Sequence, residues 1–296
     1  MRTAGKKHIM ADMTTMKTTD QKSLYPDQVF TYTEVVPEAL LLNPAVATMA
    51  GAIEGDKPMV RVPYIKTDPV ATFVAEGAEI PDGGGMLDEV TLTTGKLALL
   101  IQRSNESTSF NMPSQLIAAG VSRAIVNQAD AALLTNAKAS SSDQQNGPVG
   151  LLNIDGLTAL TSAATDIVDA VADAKATIGA KGATPTAVIV GYGMEAALRK
   201  LKDTTGKALL IDPTRSDALT LHGLPVIVNK AMPDKTLFVV AAAEIVAAAG
   251  PVKLNASDAA VFNRDSVQQR ATWRIGYKPI HADRLVKITV TEAAGK

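Results

Sequence analysis

Residues 60–139 read VRVPYIKTDPVATFVAEGAEIPDGGGMLDEVTLTTGKLALLIQRSNESTSFNMPSQLIAAGVSRAIVNQADAALLTNAKA, and the fold turns on this stretch. Val70 to Ala75 and Glu89 to Gln102 are rich in Val, Leu, Ile, Thr and Phe, types that favour a pleated, half-buried strand. Pro81 to Gly85 can continue neither a strand nor a helix, so the chain must reverse there. The expected element is a long hairpin whose tip, Gly83-Gly84-Gly85, is ringed by Glu76, Glu79, Asp82, Asp88 and Glu89. A two-stranded ribbon is marginal alone in water, so it must lie against its own domain or another copy of the chain. A helix follows from Asn111, a good capping residue, with Pro113 in the first turn where a missing N–H costs little. Ile117, Val121, Ala124 and Ile125 recur at the spacing of one helical face, and Leu133 and Leu134 extend it.

Outward from this stretch, 296 residues suffice for one large or two modest domains with a full core. The chain is 46% hydrophobic but only 4% aromatic, so that core is built from Ala, Val, Leu and Ile. A net charge of −1 supplies no global basic field for wrapping nucleic acid. Cysteine is absent, which excludes disulfides and thiolate metal sites and suits a reducing compartment better than a secreted scaffold. No apolar run approaches the ~20 residues that span a bilayer, and residues 1–28 lack the apolar centre of a signal peptide. Residues 1–34 are polar without periodicity and read as an extended arm; Arg2, Lys6, Lys7 and His8 form a small basic cluster there. Between Glu34 and Gly55 the apolar residues suggest a helix or two, broken at Pro37 and Pro44.

Beyond the long helix, residues 140–148 form a polar loop, the clearest internal boundary. Ile167, Val171, Ala174 and Ile178 mark one face of a second helix closed by Gly179 and Gly182. Ala187 to Val190 reads as a buried strand, Met194 to Leu201 as a helix, and Ala208 to Ile211 as another strand. After Asp212 strands dominate: Leu219 to Leu221, Val226 to Val228, Leu237 to Ala241, Val267 to Tyr277 and Leu285 to Thr291. The class is α+β with a β-rich end.

Motifs for chemistry are sparse. Gly191-Tyr192-Gly193-Met194-Glu195-Ala196 fits the glycine pattern that lets a helix N-terminus hold a pyrophosphate, with Asp212 about where a ribose-binding carboxylate would sit. A doubly wound sheet needs further strand–helix units, however, and none follow. The bland alternative is a tight turn in which glycine relieves strain. His8, His222 and His281 stand alone, without a partner at metal-ligand spacing. Ser104 to Ser107 lacks the glycines of a nucleophile elbow, and Gly206-Lys207 lacks the spacing of a phosphate loop. The hairpin carboxylates lack the order of a calcium loop. No catalytic residue, cofactor site or metal site is therefore expected.

The order of features carries more than any site. Val62-Pro63-Tyr64, Phe73 to Pro81, Val90-Thr91-Leu92 with Lys96-Leu97-Ala98, and Ser104-Asn105-Glu106 come before the long helix. Gly147 to Leu151, Leu198 to Asp203 with Gly206, Leu221 to Val226, Phe262 to Asp265 with Arg270-Ala271, and the closing strand from Leu285 follow it. In this order the chain, over about residues 35–292, resembles the major capsid proteins of tailed bacteriophages with the Hong Kong 97-type fold. The resemblance implies a structural protein, not an enzyme, that self-assembles as pentamers and hexamers into an icosahedral head enclosing double-stranded DNA. It implies an N-terminal arm (1–34), a peripheral domain (35–59, 104–159 with a spine helix, and 259–296), an extended hairpin loop (60–103) and an axial domain (160–258). Implied partners are a portal, a decoration protein and a scaffolding protein, with packaged DNA contacted weakly and no membrane; assembly would take place in the bacterial cytoplasm.

Two departures from the family pattern matter. Only a short arm precedes the fold, so a separate scaffolding protein, or prior processing of the chain, is expected. Where cross-linking members carry a lysine after the Ala-Glu of the hairpin, this chain has Gly77, and residues 76–89 contain no lysine. A shell held non-covalently then invites contacts between subunits. Phe73, Glu76, Glu79, Asp82, Asp88 and Glu89 are expected on one side, and Arg264, Arg270, Arg274 or Lys278 of a neighbour on the other. Two other functions compete, an encapsulin-like nanocompartment shell and a dinucleotide-binding oxidoreductase.

Overall fold

The computed structural model describes residues 38–53, 59–67, 69–77, 79–105, 111–137, 147–202, 210 and 219–291, with backbone only at 52, 111–117 and 260–262. The chain divides into two compact units. One contains residues 98–124 and 252–272; the other contains 37–97, 125–251 and the chain from Trp273. The N-terminal arm, the expected strand Ala208 to Ile211 and Asp212 lie outside the described residues, Leu210 excepted.

The hairpin exists, but its first arm is not where the composition put it. The paired strands are β2 (Met59–Thr67) and β3 (Met86–Ser104), antiparallel from Met59 opposite Thr93 to Thr67 opposite Met86. Val70 to Ala75 is unpaired loop, tied back by one bond from Val70 N–H to the Gly83 carbonyl at 2.9 Å. Pro63 lies in the middle of β2. It is tolerated because β2 is the edge of its sheet, where a missing N–H breaks no ladder. The expected helices between Glu34 and Gly55 are also corrected. Leu40–Leu42 forms a single 3-10 turn, and Thr48–Ala52 is a strand, β1, which pairs in parallel with β9 (Ile245–Ala249).

The sheet containing the hairpin runs β1-β9-β11-β3-β2, with β10 (Lys253–Ser257) paired to the start of β11 (Ser266–Pro279). Ala271, Trp273, Ile275 and Tyr277 on β11 are all buried, as befits the middle of a sheet. Trp273 Nε1–H donates to the Gly250 carbonyl at 2.8 Å, so the indole is satisfied where it is buried. Gly276 faces β3: a Cβ there would stand 3.0 Å from the Thr94 methyl.

The second sheet runs β4-β12-β8-β5-β7-β6, built from β4 (Thr158–Ala163), β5 (Ala187–Val190), β6 (Thr220–Leu221), β7 (Leu224–Val228), β8 (Thr236–Val240) and β12 (Val286–Thr291). β12 lies between β4, parallel, and β8, antiparallel. Helix α2 (Ile167–Ala180) buries Ile167, Val171, Ala174 and Ile178 on this sheet against Val188, Leu237, Val239 and Ile288. Gly182, at φ +80°, lets the chain leave α2 in the left-handed conformation. β6 and β7 turn at His222 (φ 48°) and Gly223 (φ 81°), the two-residue loop whose twist matches a hairpin.

Helix α1 (Asn111–Thr135) begins where Asn111 and Pro113 predict, and Val121, Ile125, Ala129 and Leu133 form its buried stripe. Ala124 faces solvent instead. Its C-terminal carbonyls are met by side chains. Asn153 Nδ2 donates to the Thr135 and Asn136 carbonyls at 2.9 and 3.0 Å. The Tyr277 hydroxyl is shared between the Ala132 carbonyl and that of Pro148. Gly150 lies directly on this helix end: a Cβ there would be 2.4 Å from Asn136 N. Helix α3 is Tyr192–Arg199.

Candidate assembly surfaces

The β2–β3 hairpin and its loop concentrate the uncovered apolar surface. Met59, Ile65, Val70, Ile80, Met86 and Leu87 are all more than half exposed, and Phe73 is 107% exposed, touching nothing on its own chain. Fully burying one such side chain stabilises by about 1.5–3 kcal/mol. A contiguous uncovered set of this kind marks a contact surface.

The charges of the hairpin fall into two classes. Along its paired strands the antiparallel register sets cations diagonally across from carboxylates. Lys66 Nζ lies 3.1 Å from Asp88 Oδ2, and Arg61 NH1 lies 3.6 Å from Glu89 Oε1. The Glu89 N–H, donating to Asp88 at 2.8 Å, and then Lys66 hold the Asp88 carboxyl below the usual carboxylate range; Asp88 in turn raises Lys66. Asp88 and Glu89 are thus already neutralised within the hairpin. In the loop, Glu76 and Glu79 are exposed, and Asp82 Oδ1 accepts only the Gly84 N–H at 3.1 Å. Residues 68–85 contain four carboxylates and no Lys or Arg.

The four expected cations also separate. Arg264 and Arg270 are exposed. Arg274 is half-buried and donates through NH1 to Thr94 Oγ1 at 3.0 Å. Lys278 is exposed and reaches the Thr91 carbonyl at 3.5 Å. Sequence reasoning passed over a fifth cation. Arg103, at the end of β3, is 4% exposed, and its Nε has no hydrogen-bond partner. It lines a cavity of about 240 Å³ with Leu99, Ile101, Val121, Ser122 and Asn255, within the unit that holds 98–124 and 252–272.

The glycine motif has a packing explanation. Gly191 ends β5 and opens α3, as a nucleotide site would require. But the 232–234 segment crosses directly over the turn. A Cβ at 191 would lie 2.9 Å from the Met232 carbonyl, and one at 193 would lie 2.9 Å from Asp234 Oδ1. Position 191 therefore needs glycine for close backbone approach, whereas at 193 only the Asp234 side chain would have to turn aside; that carboxylate already faces the turn, repelling any pyrophosphate. β5 has β7 parallel on one side and β8 antiparallel on the other, not the continuous parallel sheet of a dinucleotide fold. A cavity of about 550 Å³ beside the turn is walled mainly by Ala164, Ile167, Met194, Ala197 and Leu201.

The two described histidines have structural positions. His222 sits in the β6–β7 turn with Nε2 2.9 Å from the Val168 carbonyl. His281 pairs with the buried Glu244 at 2.7 Å, beside Arg284 at 2.8 Å, and Tyr64 packs edge-on to its ring. Among the described residues no three His, Cys, Asp or Glu side chains converge on a metal position, and no helix is long and apolar enough to cross a membrane.

Comparison with known proteins agrees with this geometry. The model of the phage capsid family matches residues 31–290. No curated protein sequence matches significantly. Among solved structures, a chain from Microbacterium phage Oxtober96 is similar at 16% identity and TM-score 0.69, covering 93% of this chain and 99% of that one. A chain from Gordonia phage Cozz is similar at 17% and 0.69, covering 91% and 92%. The capsid of a native GTA particle is similar at 19% and 0.65, covering 89% and 95%. The shared architecture is the Hong Kong 97-type α+β fold.

Proposed function

The chain belongs to the phage capsid family, a structural protein of the capsid shell, and from that premise we propose that it closes an icosahedral tailed-phage head of pentamers and hexamers around double-stranded DNA. The observation that supports this reading best is the hairpin. It carries Phe73 and a run of aliphatic side chains with no cover on their own chain. In this reading the hairpin at 60–103 lies over a neighbouring subunit, the region 160–258 faces the five- and six-fold axes, and the 1–34 arm adds further burial between subunits. Summed apolar contact dominates the association, because exposed ion pairs contribute at most about 1 kcal/mol each. Glu76, Glu79 and Asp82 are the loop carboxylates free to face Arg264 and Arg270 of a neighbour, since Asp88 and Glu89 are engaged within the hairpin.

The head assembles in the bacterial cytoplasm with a scaffolding protein and a portal. With a net charge of −1 the contact to DNA is weak and non-specific, most phosphate charge being met by counterions. The loop from 76 to 89 has no lysine, so no isopeptide cross-link forms through it. The test is the double reversal Glu76→Lys and Glu79→Lys. The subunit should fold with an unchanged circular dichroism spectrum while shell yield falls sharply; normal shells from the double variant would refute the role given to the loop.

A further inference from the structure

Arg103 is a buried cation near the end of β3. Its side chain is 96% withdrawn from solvent, its Nε is sealed off without a partner, and no carboxylate among the described residues pairs with it. A guanidinium cannot shed its charge by deprotonation, so burying it without a described partner costs the isolated subunit desolvation energy. Beside it is the 240 Å³ cavity, large enough for a carboxylate-bearing side chain, with Ser122, Asn255 and Gln269 supplying polar groups and, among the described residues, no acidic side chain in its wall. Unpaired buried charges persist where a partner arrives later or where a site needs them.

Resting on the assembly reading above, we propose that this cavity is a carboxylate-acceptor site, filled in the shell by Glu76 or Glu79 from the hairpin loop of a second copy. Charge complementarity selects that occupant. Residues 68–85 have four carboxylates and no Lys or Arg, whereas the described lining of the cavity has one buried cation and no carboxylate. The planar fork of Arg103 would hold the carboxylate through paired N–H donors in a site shielded from salt, unlike the exposed Arg264 and Arg270. The site would therefore fix the docked position of the loop, whereas the exposed arginines serve mainly to attract it.

The proposal predicts effects of opposite sign on subunit and shell. Arg103→Met removes the charge and keeps the bulk. The isolated subunit should then unfold at higher urea concentration than wild type, because an unpaired buried charge is gone. Shells of the same variant should dissociate at lower urea. Glu76→Gln with Glu79→Gln should leave the subunit unchanged, weaken the shell, and add nothing further when combined with Arg103→Met. Arg103→Lys, which keeps the charge but not the fork, should give shells of intermediate stability. Additive effects of the two changes, or destabilisation of the isolated subunit by Arg103→Met, would overturn the proposal. So would inorganic phosphate that raises the melting temperature of wild-type subunit but not of Arg103→Met while the loop variants assemble normally, since that describes a small-anion site. If wild-type protein closes no shell at all, the assembly reading fails instead.

Discussion

Asp130 is the residue whose removal the subunit should feel most, and its cost can be worked from geometry. It lies on α1, 5% exposed, and its two oxygens hold two separate parts of the chain. Oδ1 accepts the Leu40 N–H at 2.7 Å, and Oδ2 accepts Asn229 Nδ2–H at 2.7 Å. A hydrogen bond to a charged group contributes about 1.5–3 kcal/mol, so the pair is worth about 3–6 kcal/mol gross. Desolvation opposes this: burial is the chief cause that raises the Asp130 carboxyl above its ordinary 3.8, with the bonds from Asn229 and Leu40 pulling the other way. Asp130→Ala should therefore cost about 2–4 kcal/mol net, read by urea unfolding of unassembled subunit. Asp130→Asn keeps one acceptor and should cost less. The Asn229 amide cannot reverse to suit it, because its own Oδ1 accepts the Ala231 N–H at 2.8 Å.

The pH dependence of that difference has a definite sign. The folded carboxyl binds its proton at higher pH than the unfolded one, so its favourable contribution is complete below 3.8 and is lost as pH rises through the folded value. Wild type should gain on Asp130→Asn as pH is lowered from neutrality towards 3.8, with no further gain below. A loss under about 0.5 kcal/mol for Asp130→Ala, or a wild-type advantage that shrinks on acidification, would refute the reasoning.

Other outcomes follow from single contacts. Gly150→Ala should cost several kcal/mol, roughly the upper range of overpacking, because its methyl group would stand 2.4 Å from backbone; reduced soluble yield and melting temperature would show it. Tyr277→Phe should cost about 1–2 kcal/mol by loss of the hydroxyl bonds to Ala132 and Pro148. Burial raises the Tyr277 phenol above its ordinary 10.0, so its contribution is complete below that pH and lost above it. Wild type should accordingly lose stability above about pH 10 relative to Tyr277→Phe in alkaline urea titrations. Mature shells boiled in detergent should run as a single band at the 30.9 kDa chain mass; a ladder of oligomers would show covalent joining.

What the sequence revealed and what it hid follow from how burial imprints pattern. α1 and α2 were legible because each buries one stripe, so Val121, Ile125 and Leu133, and Ile167, Val171 and Ile178, recur at helical spacing. The hairpin was legible at its glycine tip, but Val70 to Ala75 imitates a strand in composition while lying beyond the last paired residue, Thr67. β9 reads Ile-Val-Ala-Ala-Ala, a composition that favours helix, and is a strand because its neighbours β1 and β11 make it one. β10 is exposed throughout and carries no alternation to detect. β4 was missed because only Ser162 of its six residues is buried. Arg103 left no signal because the buried parity of β3 changes along the strand. Val90, Leu92 and Thr94 are buried, then both Gln102 and Arg103, with Gly95 between the two sections. A charged residue at a strand end reads as exposed unless that change is known. The glycine at 191 carried a true signal, close backbone approach, but the approaching group is the chain's own Met232 carbonyl.

Electron microscopy of the purified protein in negative stain, with and without its scaffolding partner, tests the central claim most directly. Closed icosahedral shells tens of nanometres across are the expected result, with the Phe73 hairpin protected from protease in shells and cut in free subunits. A monodisperse monomer or dimer with scaffold present, its hairpin equally accessible throughout, would contradict the account.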